Sequence, residues 1–230
     1  KHYYRKDMNL KSKRDILHVN HFKKMISLDK KKITLGSYTS YEWAVDPKHL
    51  IFSLSRYKFV SKMLRGKKNV LEVGAGDGFK SRIVNEEVHK LDLSDVTISS
   101  RDQFKSSHIN KNEYFIHDFI KEKFKKKYEG IYALDVIEHI KKTDCEKFIK
   151  NIKDSLKANG VLIIGCPTLS SQKYASKYSK KLHVNCFDKD KLEIYLKKFF
   201  NNVFTFGMND EILHTGYDKM CHYALAVCIK

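Results

Sequence analysis

Apolar residues in this chain fall into short runs separated by stretches of helical spacing. Val70, Leu71 and Val73 form the first run, short and β-branched enough for a strand buried on both faces. Similar runs at 88–92, 113–118 and 130–135 each close on an acid, at Asp92, Asp118 and Asp135, and a fully apolar run follows at 161–166. Helical spacing fills the gaps at 79–87 and 143–157, and Asn159-Gly160 reads as a C-cap that stops the second of these helices. Strand and helix thus alternate, which predicts an α/β fold with a parallel, doubly wound sheet. Asp188 caps a further helix to Lys198, and runs at 200–206 and 223–229 add two closing strands around a loop at 207–219. Upstream, Asp46-Pro47 starts a helix with Asp at the N-cap and Pro first; Leu50, Leu54, Tyr57 and Leu64 carry it to Gly66. Before it no period is clean. Tyr3, Tyr4, His18, His21, Tyr38, Tyr41 and Trp43 are scattered among lysines, and 36–41 reads as a loop. The expected division is therefore an N-terminal cap or lid with the first helix at 1–66, and an α/β domain at 67–230.

Composition narrows the class. Hydrophobic residues make up 42% of the 230, enough for a substantial core. No run approaches the ~20 apolar residues of a membrane span, and the polar, basic start does not resemble a signal peptide. Five cysteines, an odd number without C-x-x-C, point to free thiols in a reducing cytoplasm. The net charge of +18 is mostly lysine in short dispersed runs such as 30–32 and 125–127. That distribution allows an anionic small substrate ahead of a polymeric nucleic acid.

The first strand ends in Glu72-Val-Gly-Ala-Gly-Asp-Gly78 and leads into a helix. Small residues there let backbone amides approach a ligand, and the helix N-terminus adds partial positive charge. The dinucleotide pattern G-x-G-x-x-G would need glycine at Phe79, and no G-K-[ST] is present. The run of acid, x, G-x-G-x-G resembles motif I of the class I S-adenosylmethionine-dependent methyltransferases, a Rossmann-like family. The resemblance implies a mostly parallel seven-stranded sheet with helices on both faces and an antiparallel last strand. It implies S-adenosylmethionine as cofactor and S-adenosylhomocysteine as product, held by Glu72, Gly74, Ala75, Gly76 and Gly78. Asp92 lies 18 residues after Gly74, near the ~20 at which dinucleotide folds place a ribose-binding acid. Family likeness puts Asp92 and Leu93 at the ribose, Asp118 and Phe119 at the adenine, and Asp135 and Val136 at the cofactor's edge. Helix caps and surface turns are the alternative roles for Asp92 and Asp118.

Asp135-Val-Ile-Glu-His139 is similar to the branch containing ubiquinone-pathway O-methyltransferases, and it is not the [ND]-P-P-[YF] of many N-methyltransferases. Methyl transfer needs an aligned nucleophile and, for a hydroxyl, removal of a proton. Neutral histidine suits that role, which nominates His139 and His183. Asp135, Glu138, His139 and His183 also resemble the metal site of small-RNA 3′-terminal 2′-O-methyltransferases, although those carry Glu at the first position. Carboxylate and imidazole ligands suit Mg²⁺ or Mn²⁺. Base and metal readings both stay open, with His214 and Tyr217 next in line. The expected activity is O-methylation of a small acceptor, anionic where the charge serves it, such as a sugar or phosphate-derived group of a surface polysaccharide. An RNA ribose 2′-O-methyltransferase and a non-catalytic cofactor-binding partner subunit are the alternatives. Oligomeric state is not legible.

Overall fold

The computed structural model describes residues 13–28, 34–106 and 112–230. The chain divides into two compact units, Lys1–Thr34 and Leu35–Lys230. In the first, α1 (Lys13–Leu28) is a helix on which Leu17, Phe22 and Met25 are exposed. Tyr3, Tyr4 and the lysines at 30–32 lie outside the described residues.

The second unit is built on one sheet of eight strands: β1 (Val70–Val73), β2 (Leu91–Asp95), β3 (Tyr114–Ile116), β4 (Tyr128–Leu134), β5 (Leu156–Pro167), β6 (Asn202–Asn209), β7 (Ile212–His214) and β8 (Tyr223–Ile229). Their order is β3-β2-β1-β4-β5-β8-β6-β7. The first five pair in parallel, and β8 runs antiparallel between β5 and β6. The doubly wound arrangement with a reversed last strand is as expected. The extra strand is β7, which folds back on β6 within the stretch read as a loop.

The helices are α2 (Ser37–Val45), α3 (Pro47–Met63), α4 (Ser81–Asn85), α5 (Ile98–Ser106), α6 (Lys142–Ser155), α7 (Lys177–Leu182) and α8 (Lys189–Leu196). Alternate strand residues face opposite cores. Leu71, Ile131, Leu162 and Ile164 pack with Phe148, Ile149 and Ile152 of α6 and with Leu192 and Leu196 of α8. Val70, Leu91, Leu93, Tyr132 and Ile163 pack with Tyr57 and Val60 of α3, with Val84 and with Phe104. Each such fully buried aliphatic side chain contributes roughly 1.5–3 kcal/mol. No helix among the described residues is long and apolar enough to cross a membrane.

Capping at Asp46 is as the sequence predicts: its carboxylate accepts from His49 N–H at 3.3 Å, with Pro47 first in the helix. Three local readings differ. The stretch read as a loop at 36–41 opens α2 instead, and α2 and α3, expected within the cap, belong to the same compact unit as the sheet. Asn159-Gly160 is not a helix cap: α6 ends at Ser155 and the chain passes directly into β5. There Asn159 takes the left-handed conformation (φ 58°) and pairs with the last residue, Lys230. The second strand begins at Leu91, three residues later than expected, so that Leu91 and Leu93 are buried and Asp92 lies near the strand's start instead of its end.

Candidate active site

A cleft of about 1030 Å³ opens at the C-terminal ends of β1, β2 and β4, with α2 and α3 along one side. β1 and β4 are the neighbours at which the chain order reverses, the place where open α/β sheets bind ligands.

Gly74, Ala75 and Gly76 line the cleft. Gly74 has φ 76°, and a Cβ there would meet Val136 Cγ2 at 2.3 Å, so this position accepts no side chain. The Gly74 and Ala75 amides both donate to Ser94 O, at 2.8 and 3.0 Å, tying the turn to β2. Two residues of the motif work from behind it. Gly78 is outside the cleft lining; its missing Cβ makes room for Phe104, which would otherwise stand 2.6 Å away. Glu72 is buried and accepts from Tyr57, Ser81 and Tyr132 hydroxyls, while burial pushes its carboxyl pKa up. It pins β1 to α3 and β4 and does not line the cleft.

Asp92, expected at the ribose, is set away from the cleft by the register of β2. Asp92 is fully buried near the strand's start, paired to Lys126 at 2.5 Å and to Tyr128 OH at 3.0 Å. Those partners let a carboxylate sit inside the strand, where periodicity alone places the strand's end. Leu93 is core. The β2 acid on the cleft is Asp95, at the strand's end, whose Oδ2 accepts Gly76 N–H at 3.0 Å and Oδ1 Thr97 N–H at 2.9 Å. Past β3, Asp118 lines the cleft and takes the Ile120 amide at 2.9 Å. Phe119 lies beside it, buried against Phe148.

At the end of β4, Asp135 adopts φ 57°, an uncommon conformation for a residue with a side chain, and its N–H donates to Gly165 O at 3.1 Å. This aims its carboxylate at Arg56 of α3, with Nη1 at 3.0 and 2.9 Å from the two oxygens. Arg56 is 4% exposed and stacks over Tyr223 of β8 at 3.7 Å. Sequence reasoning missed it. The available signal was a charged residue among Leu50, Ser53, Tyr57 and Val60, on the buried face of a helix.

The structure brings His139 and His183 together. Glu138 O accepts from Val184 and Asn185 amides at 2.8 and 3.1 Å, clasping the two segments, and the imidazole rings lie 5.2 Å apart. His139 Nδ1 bonds Leu182 O at 3.2 Å; His183 Nδ1 bonds Gln172 Oε1 at 2.9 Å. Burial, then the neighbouring His139, lower the His183 pKa. Glu138 is buried with neither carboxylate oxygen hydrogen-bonded, and burial followed by the charge of Asp135 raises its pKa strongly. Ligand atoms of Glu138, His139 and His183 fall within 4.8 Å of one another. Asp135, expected as a fourth ligand, is engaged by Arg56 instead. His214 is not part of the cleft lining; it bonds Asn209 and Gly216 around the β6–β7 hairpin.

A parallel sheet with a reversed last strand, a glycine turn after β1 and an acid after β2 define a Rossmann-like nucleoside-cofactor fold. A family model described as a methyltransferase domain matches residues 45–203, and the chain belongs to this family of S-adenosylmethionine-dependent methyltransferases. Solved structures agree on the fold. A methyltransferase from Archaeoglobus fulgidus is 14% identical with a TM-score of 0.66, covering 84% of this chain and 100% of that one. The N-methyltransferase NodS from Bradyrhizobium japonicum WM9, in complex with S-adenosylhomocysteine, is 14% identical with a TM-score of 0.59, covering 89% and 96%. The methyltransferase domain of bacterial CtHen1 is also 14% identical, with a TM-score of 0.63 and coverage of 77% and 98%. No curated protein matches the chain. At these identities the likeness establishes the fold, and the acceptor has to be argued from the site.

Proposed function

We propose that this methyltransferase acts on a hydroxyl of a small acceptor, with His183 removing the proton. The observation that carries the reading is the hydrogen bond from His183 Nδ1 to Gln172 Oε1 at 2.9 Å. It keeps the ring proton on Nδ1 and leaves the Nε2 lone pair free. The lowered pKa keeps the imidazole neutral near pH 7, the form a base requires.

The cleft's charge suits a cationic sulfonium cofactor. Asp46, Asp77, Asp95 and Asp118 line it, while its lining cations Arg56 and Lys80 are paired with Asp135 and Glu42 at 2.9 and 2.7 Å. In this reading Asp95 accepts the ribose hydroxyls, Asp118 and Phe119 flank the adenine, and Gly74 to Gly76 admit the cofactor's backbone-facing edge. S-adenosylmethionine supplies an already activated methyl group; the chain aligns the acceptor and holds its proton.

The unpartnered Glu138 carboxylate beside His139 and His183 favours a second reading, in which the three hold Mg²⁺ or Mn²⁺ and lower the hydroxyl's pKa. Substitution and chelation separate the two. With His183 as base, His183→Ala lowers turnover about 10²–10⁴-fold and activity survives chelation. Under the metal reading chelation abolishes activity, Mg²⁺ or Mn²⁺ restores it, and Glu138→Ala is as damaging as His183→Ala. Full activity in His183→Ala would defeat both.

A further inference from the structure

We infer that the wall formed by Arg56, His222 and Tyr223 is the acceptor subsite, and that it takes a neutral ring bearing several hydroxyls instead of an anion. This rests on the methyl-transfer reading of the same cleft.

Buried polar groups in folded proteins are nearly always hydrogen-bonded, so those that are not call for a partner. Three residues that line this one wall each carry such a group: Arg56 Nε, Tyr223 OH and His222 Nε2 are without a hydrogen bond. Their chemistry is mixed. Arg56 Nε–H can only donate. His222 Nδ1 bonds Met208 O at 2.7 Å, which places its proton there and leaves Nε2 as an acceptor. Tyr223 OH does either. A hydroxyl also gives and takes, so adjacent hydroxyls on one ring match this set.

An anion does not match it. A phosphate or carboxylate would offer nothing to the His222 lone pair. The Arg56 charge is already matched by Asp135 at 2.9 Å. Lys80 is likewise held by Glu42 at 2.7 Å. Among the described residues, both lysine and arginine cations lining the cleft are thus paired. Aromatic surface completes the site: Phe52 meets His222 edge-on at 6.0 Å and His49 at 6.4 Å, and all three line the cleft. The C–H face of a cyclic polyol packs against such rings.

The test uses the full chain saturated with S-adenosylhomocysteine and four probes: methyl α-glucoside and myo-inositol as neutral polyols, glucuronate and glucose 6-phosphate as anions. Saturation-transfer NMR gives the dissociation constants, and calorimetry gives the affinity for S-adenosylhomocysteine. The neutral probes bind more tightly than the anionic ones. Tyr223→Phe and His222→Gln each weaken the neutral probes about three- to tenfold, as expected for one lost hydrogen bond, with affinity for S-adenosylhomocysteine unchanged. Tighter binding of the anions, no neutral binding above background, or variants that bind the polyols like wild type would each overturn the inference. Absence of S-adenosylhomocysteine binding would instead strike the methyl-transfer reading on which it rests.

Discussion

Replacing Asp95 and Asp92 separately, each by Asn, tests the proposal that Asp95 is the ribose acid. Asp95 stands on the cleft with its two oxygens on the Gly76 and Thr97 amides. The change removes the charge that strengthens its bonds to ribose hydroxyls and leaves one carbonyl oxygen for two backbone donors. Hydrogen bonds to a charged group are worth about 1.5–3 kcal/mol, and an amide recovers part of that. A net loss of about 2–3 kcal/mol weakens S-adenosylhomocysteine roughly 30- to 150-fold, at about 1.4 kcal/mol per tenfold. Asp92→Asn acts elsewhere. It breaks the buried pair with Lys126 and weakens the bond from Tyr128. Lys126 is partly exposed and regains water, so the cost is about 1–3 kcal/mol of stability, or roughly 2–12 °C in melting temperature for a chain of this size. Its affinity for S-adenosylhomocysteine stays within about twofold of wild type. Calorimetry and thermal melts on both variants give the answer. Lost affinity in Asp92→Asn together with full affinity in Asp95→Asn would refute the assignment.

Gly78→Ala should lower the melting temperature sharply, because its φ of 72° strains any side chain and the new Cβ meets Phe104 at 2.6 Å. Gly76→Ala clears Tyr38 by 3.4 Å, so it should cost only the conformational strain of about 1–2 kcal/mol while weakening S-adenosylhomocysteine at the cleft; melts and calorimetry distinguish the pair. Asp118→Ala should reduce that affinity by about 1–3 kcal/mol through a lost adenine contact, and an unchanged isotherm would leave Asp118 as the turn residue that caps Ile120.

The sheet was legible because parallel strands buried on both faces read as apolar runs, and because one glycine turn follows a strand and precedes a helix. Boundaries were less so. Asp92 reads as a strand end only if its partners are unknown; Lys126 and Tyr128, more than 30 residues away, make it an interior residue. Asn159-Gly160 carries the same left-handed signal in a strand as at a helix end. The histidine pair was legible by residue type, but its meeting depends on the backbone clasp at Glu138 O. Arg56 was hidden because the ion pair that makes its burial tolerable joins residues 79 apart. The wall of Arg56, His222 and Tyr223 was hidden as well: the sheet order brings β8 to the cleft, while sequence order places His222 and Tyr223 far from every motif.

The most direct test of the central claim is a crystal structure with S-adenosylhomocysteine. The account predicts the ligand in the cleft against Gly74 to Gly76, its ribose hydroxyls on Asp95, its adenine beside Asp118 and Phe119, and its sulfur facing the His139–His183 side. Density for the ligand outside this cleft, or a ribose turned away from Asp95, would contradict it.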